Sequence, residues 1–365
     1  MTAPAPRRVL HLVDRVTGGV PVAVRTYVAN SPAGVDHIIA APFSDGAPAA
    51  VWEGTTASHR EWDTASMCRA VLGLRHLLRT ASFDVVHAHS TFPGAYLRLW
   101  GAPRRARVVY TPHCYAFVRT DVAPPVRAAF RAVETLLRGR ATVVAACGPG
   151  ESAEALGLGV APERIVTVPN VSSLPDAAAP IAARRARTAA TSLRVGMLGR
   201  WAAQKDPDYF RARVQELRAA LAAPVEARWI GSADGAAAAA GHDEPRVHVT
   251  GWLPATEVGA QLRELDLYLH TAAWEGFPIA LLDAHAVGAP ILARAIPALP
   301  GLAPALTIEQ GLGGFVDAVR AGRLGAWSAA NHAAWSAYLG DRTARAQRVA
   351  LERAWFGEVA DGGSR

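Results

Sequence analysis

The segment HTAAWEGFPIALLDAHAVGAPIL, residues 270–292, decides how this chain is read. It opens at the end of an apolar run, LDLYLHT (265–271), crosses Glu275-Gly276-Phe277-Pro278, and continues at helical spacing into a second apolar run, APILAR (289–294). Strand, loop, helix and strand in this succession make a parallel-sheet unit, with ligand loops at the carboxyl ends of the strands. Gly276, just before the helix, lets a ligand approach the backbone, and the free amides with the helix dipole attract an anionic oxygen. Asp283 stands about five residues into the helix, roughly 7.5 Å along its axis. Glu275 and Asp283 are therefore spaced to hold two hydroxyl-bearing parts of one ligand. A surface Glu and a helix-face Asp are the ordinary alternative.

The same alternation extends outward in both directions. Upstream in this half lie LRVGMLGR (193–200), VEARWIG (225–231) and RVHVTGW (246–252), with helices expected over 207–222, 255–264 and 278–287. SADGAAAAAGHDEP (232–245) reads as a low-complexity loop, and only helical patterns remain beyond 312. Residues 171–192, rich in Ala, Pro and Ser, carry no strand period and read as a linker. Before them, strands are expected at 8–14, 36–43, 83–89, 107–113, 142–147 and 164–170, with helices at 20–30, 64–80 and 126–139. The fold class is α/β, with two Rossmann-like doubly wound domains facing a cleft. The first spans 1–170 and the second 193–340. A C-terminal helix over 341–365 is expected to pack back toward the first domain.

GRWAAQKDPDYF (199–210) ends the first strand of the second half. Asp206-Pro207-Asp208 reads better as an N-cap, a first-turn proline and a dipole-favoured carboxylate than as a metal-binding pair. Arg200 and Lys205 are another matter. Two cations on a strand-to-helix loop suit a diphosphate, Arg as a fork and Lys as a point charge. Of 38 basic residues, Lys205 is the only lysine, so chance placement explains it poorly.

Composition narrows the classes. The chain has 365 residues, 51% hydrophobic and 19% charged, enough for buried cores and unlike a disordered chain. Apolar stretches such as 295–308 are broken by proline and fall short of the roughly 18–20 residues of a membrane span. The N-terminus lacks a signal-peptide core, and three scattered cysteines imply neither disulfides nor zinc, which suits a cytoplasmic protein. Residues 1–170 carry 18 Arg against 12 acidic residues, net +6; residues 171–365 carry 20 basic against 19 acidic, net +1. No basic-aromatic cluster points to nucleic acid. Lys205 is followed by Asp206 and lacks a preceding glycine, so there is no P-loop, and Gly18-Gly19 lacks dinucleotide-binding spacing.

The order GR…QKD, GWLP, then EGFPIALLD resembles the donor-binding half of the GT-B retaining glycosyltransferases, family 4 (glycosyl transferases group 1), and the resemblance covers about 1–295. RVTGGV (15–20), DVVHAH (84–89), TPHCY (111–115), VVAACGPGES (143–152) and VPN (168–170) fall where that family places its acceptor-domain strands and loops. The resemblance implies Arg200 and Lys205 on the donor pyrophosphate, Glu275 on the donor sugar with Gly276 and Phe277 beside it, and Asp283 on the ribose. It also implies Gly19 near the phosphate and His113 beside the reacting centre. Asp283 stands where the family usually carries Glu, and Cys114 follows His113 where the family often has Asp.

The implied activity is metal-independent, retaining transfer of a sugar from a nucleoside diphosphate, UDP-sugar favoured, to an acceptor hydroxyl. Cell-envelope polysaccharide, glycolipid or natural-product synthesis are the settings it suggests. No cofactor and no metal are implied; His87, His89 and His113 lack the further ligands of a metal hydrolase. Arg127, Arg131 and Arg138 line one face of the helix expected near 126–140, which suits either solvent or peripheral contact with the inner face of a membrane that carries a lipid-linked acceptor. A nucleotide-sugar epimerase of the same fold, or a silent partner of another transferase, are the competing readings.

Overall fold

The computed structural model describes residues 5–43, 52, 54–101, 105–174, 192–232 and 247–357. Most of the expected linker (175–191) and of the low-complexity loop (233–246) lie outside the described residues. The chain forms two units, Met1–Val171 with Arg342–Arg365, and Ser172–Asp341.

The first unit is built on a seven-stranded sheet in the order β3-β2-β1-β4-β5-β6-β7. Its strands are β1 (Arg7–Leu12), β2 (Val35–Ala41), β3 (Ser58–Glu61), β4 (Val85–His89), β5 (Arg107–Thr111), β6 (Val143–Ala146) and β7 (Ile165–Thr167). Every pairing is parallel. The central strands are apolar on both faces, as strands covered by helices on both sides must be. Leu10, Val86 and Tyr110 face a core shared with Ala70 and Leu74 of α2 (Met67–Thr80) and Ala155 of α5 (Pro149–Gly157). Val9, Val85 and Val109 face the opposite core with Tyr27 of α1 (Gly19–Ala29). Two further helices, α3 (Thr91–Tyr96) and α4 (Pro124–Leu137), complete the crossovers.

Strand β3, SHRE, escapes the sequence reading because it is an edge strand whose four residues are all exposed and carry no apolar period. Helix α2 starts at Met67, later than expected, because Ser66 accepts the Arg69 amide at 3.3 Å and caps it there.

The second unit holds five parallel strands in the order β10-β9-β8-β11-β12. They are β8 (Leu193–Leu198), β9 (Val225–Ile230), β10 (Val247–Val249), β11 (Leu267–His270) and β12 (Ile291–Ala293). The helices are α6 (Pro207–Ala220), α7 (Ala255–Arg263), α8 (Ile279–Ala286), α9 (Ile308–Arg320) and α10 (Leu324–Leu339). Asp206 caps α6 by accepting the Tyr209 amide at 3.1 Å, with Pro207 at the first position and Asp208 in the first turn, the capping reading of Asp-Pro-Asp. Trp229, Phe210 and Phe315 centre the core.

The chain then returns to the first unit through α11 (Ala344–Phe356). Leu351, Ala354 and Trp355 of α11 close the face of the first sheet that Tyr27 shares. Among the described residues no helix is long and apolar enough to cross a membrane.

Candidate active site

In each sheet the strand order reverses direction at one place, and loops leaving the carboxyl ends there diverge to leave room for a ligand. In the second sheet that place is between β8 and β11. The loops that follow these two strands carry Arg200, Gln204 and Lys205 on one side and Glu275, Gly276 and Phe277 on the other.

The two loops are tied together. Lys205 Nζ donates to Glu275 Oε1 in an ion pair whose side chains are 15% and 10% exposed. Gln204 Nε2 donates to Glu275 Oε2 at 3.2 Å and to the Trp274 carbonyl at 3.1 Å. The Ala273 amide donates to the Gln204 carbonyl at 2.9 Å, and Thr271 Oγ1 donates to the Lys205 carbonyl at 2.7 Å. His270 is wholly buried at the end of β11; its Nε2 lies 3.8 Å from Glu275 Oε1 and has no hydrogen bond among the described residues. Burial, with the Lys205 ammonium beside it, keeps His270 neutral.

Local backbone chemistry makes room for Lys205. Gly199 has φ 147°, and a Cβ built on it would stand 2.9 Å from Lys205 Cε. The glycine at the end of β8 therefore admits the lysine stem on its way to Glu275.

The structure brings Lys205 and Glu275 together with Gln204 and His270. Arg200 is half-buried on the same loop as Lys205. Phe277, on the same loop as Glu275, is buried at 4% exposed. Asp283 lies in α8 and is also buried, and its carboxylate is engaged by the first residues of the second unit. Oδ1 accepts from Ser172 Oγ at 2.8 Å and from the Ser173 amide at 2.6 Å, and Oδ2 accepts from Ser173 Oγ at 2.9 Å. Burial pushes the Asp283 carboxyl up to about 6 against the opposing pull of those bonds.

In the first unit, Gly19 opens α1, and nothing lies within 4 Å of where its Cβ would stand. His113 follows β5 with φ 50°, and Cys114 with φ 91°, both in the left-handed region. Glu151, buried in the first turn of α5, holds this turn. Its Oε1 accepts the Cys114 amide at 2.7 Å and its Oε2 the Cys147 amide at 2.8 Å. In the sequence, Glu151 reads only as the first turn of a helix after Gly148-Pro149-Gly150. Its signal, a glutamate directly after Gly-Pro-Gly at a strand end, does not reveal a backbone donor 37 residues away. Gln204 was missed likewise.

His11, His87 and His89 are buried with ring nitrogens within 4.8 Å of one another. Both nitrogens of each are already hydrogen-bonded: His11 to His37 and His89, His89 to His11 and His113, His87 to Thr111 and Trp355. These lone pairs and protons serve one another, an arrangement that suits a hydrogen-bonded row better than a shared ion.

Residues 7–171 match the family model described as glycosyl transferase 4-like domain, and residues 192–321 match that described as glycosyl transferases group 1. The chain is 24% identical over 322 residues to an uncharacterized 41.2 kDa protein in the cps region of Klebsiella pneumoniae, covering 84% of this chain and 85% of that one. Anabaena Alr3699/HepE, solved in complex with UDP and glucose, superposes with a TM-score of 0.67 at 15% identity, over 96% of this chain and 95% of that one. The lipopolysaccharide outer core galactosyltransferase WaaB, in its apo form, gives 0.61 at 15% identity over 96% and 100%. At such identities the structural likeness speaks for the shared GT-B fold.

Proposed function

Because its two halves belong to the glycosyl transferase 4-like and glycosyl transferases group 1 families, which makes the chain a glycosyltransferase, we propose that it moves a sugar from a UDP-sugar to an acceptor hydroxyl with retention and without a metal ion. The observation that carries the donor assignment is the Lys205–Glu275 pair at the switch point of the second sheet. We assign the donor to the second unit and the acceptor to the first.

In this reading Arg200, Lys205 and the free amides at the start of α8 stabilise the negative charge that builds on the departing diphosphate. Glu275 leaves part of its pairing with Lys205 to bind the sugar hydroxyls, and Gly276 lets the sugar approach the loop. Asp283, with the Ser172 and Ser173 hydroxyls it orients, meets the ribose. Gly19 leaves space for a phosphate, and His113 holds the sugar or the acceptor in place. The bond from the anomeric carbon to the diphosphate oxygen breaks while the acceptor oxygen bonds to that carbon on the same face. The leaving phosphate oxygen takes the acceptor's proton.

UDP as the nucleotide is supported by the ligand of the Anabaena relative, and polysaccharide synthesis by the cps-region setting of the Klebsiella relative. Peripheral contact with an anionic membrane is supported by apolar side chains exposed on α2, α3 and α4. The test is incubation with UDP-, GDP- and dTDP-sugars and candidate acceptors, with and without EDTA. Release of UDP coupled to an α-linked product from an α-linked donor, undiminished by EDTA, is the expected result. Isomerised sugar nucleotide without product, or loss of activity in EDTA, contradicts it.

A further inference from the structure

Four imidazoles cross the first sheet as a hydrogen-bonded row that ends on His113. His37 belongs to β2, His11 to β1 and His89 to β4, and His113 follows β5. Their ring nitrogens meet in succession, each at 3.0 Å: His37 Nδ1 with His11 Nε2, His11 Nδ1 with His89 Nε2, and His89 Nδ1 with His113 Nε2. A neutral imidazole has one donor nitrogen and one acceptor. The direction of one bond therefore sets the direction of all three.

The far end decides that direction. His37 Nε2 is buried and, among the described residues, has no hydrogen-bond partner. If the row donated from His113 toward His37, every ring would carry its proton on Nε2, and the last N–H would be stranded at that atom. Run the other way, only a bare lone pair is left there. A stranded buried N–H is the rarer and costlier of the two.

We propose that the row fixes His113 as the tautomer protonated on Nδ1, so that His113 meets the substrate as a hydrogen-bond donor and not as a base, with His89 as its positioning residue. The inference rests on the reading that places His113 beside the reacting groups. Among the described residues His113 Nδ1 makes no hydrogen bond, which leaves its N–H for a ligand. His87 stands beside the row but outside it. Trp355 Nε1, which can only donate, bonds to His87 Nδ1 at 3.1 Å, so His87 carries its proton on Nε2 and donates to Thr111 Oγ1 at 2.8 Å.

The row holds a proton and does not conduct one. Passing a proton from His113 to substrate along the row would require His37 Nε2 to take up another, and that buried atom has no donor beside it among the described residues. Burial keeps every ring neutral, pulling His37 down to about 4, His113 to about 3, and His11 and His89 well below the usual range. Tyr27 of α1 and Trp355 of α11 cover the rings.

Nitrogen-15 NMR of the full chain with labelled histidines, read at neutral pH through the ring couplings, tests this without any variant. The expected result is a protonated Nδ1 and bare Nε2 for His37, His11, His89 and His113, and the opposite tautomer for His87. His113 protonated on Nε2, a doubly protonated ring in the row, or metal-shifted ring nitrogens with stoichiometric metal in the purified protein would each overturn it. Kinetics add a second readout. His89→Asn keeps an N–H near the place of Nδ1 and should hold kcat within about threefold, whereas His89→Leu should lower kcat about tenfold or more at unchanged donor KM. Equal kcat in the two variants overturns the positioning role. Full activity in His113→Ala, with the tautomers as stated, would instead remove His113 from the reaction and leave the row standing.

Discussion

Lys205 is the single residue on which the proposed donor site turns. It is the only lysine in the chain, and its ammonium reaches across to Glu275, a residue on a loop 70 positions later. Removing either charge deletes an electrostatic stabiliser and leaves its partner buried without its counter-charge. Lys205→Ala and Glu275→Ala should each lower turnover about a hundredfold or more. Gly199→Ala should move in the same direction, because its new methyl would stand 2.9 Å from Lys205 Cε, at a φ of 147° that side chains rarely adopt. Steady-state rates near wild type in any of the three would detach that residue from the site. The pair was legible in the sequence because a lone lysine and a Glu-Gly-Phe-Pro loop both sit at strand ends. Gln204 and Glu151 were not, since what marks them is a partner distant along the chain.

At the scale of elements, the parallel strands announce themselves as apolar runs because each is buried on both faces. Strand β3 does not, being exposed throughout. The sequence also left helix 126–140 divided between solvent and membrane on the strength of Arg127, Arg131 and Arg138 alone. The fold adds what periodicity cannot show. α3 packs against both α2 and α4; along these helices Leu72, Phe92 and Leu136 are 66%, 49% and 72% exposed, and Trp100, in the π-helical turn Leu97–Gly101 that follows α3, is 46% exposed. Apolar side chains left in water beside arginines suit an anionic bilayer surface. The protein should sediment with vesicles containing phosphatidylglycerol and remain in solution with pure phosphatidylcholine. Replacing both Trp100 and Leu136 by Ser should reduce that binding severalfold. Failure to bind the anionic vesicles would retire membrane contact.

Across the whole molecule, two parallel sheets each place candidate site residues just past the ends of their central strands, and α11 closes the first of them from the far end of the sequence. This crossing was foreshadowed by the helical pattern after residue 341, but its consequence was not. Trp355 of α11 joins the histidine-rich face of the first sheet, so the stability of that unit depends on keeping these rings neutral. His37 and His113 are held at about 4 and about 3 against an unfolded value of 6.5, and His11 and His87 and His89 shift the same way. The unfolded chain therefore binds more protons below 6.5. Stability is full above that pH and falls as pH drops toward 4, by about 1.4 kcal/mol per pH unit for each histidine involved. In the same unit Asp14, raised to about 6 by burial, and Glu151, raised likewise, act in the opposite sense but are fewer. Thermal midpoints should fall steeply between about pH 7 and about pH 5; a flat profile would show that the rings are already charged.

The most direct measurement is a calorimetric titration of UDP into the full chain and into Lys205→Ala, both in EDTA. Binding to the wild-type chain that weakens about tenfold or more in the variant is the predicted result. Equal affinity in the two proteins, or no binding until a divalent ion is added, would contradict the assignment of the diphosphate to this lysine.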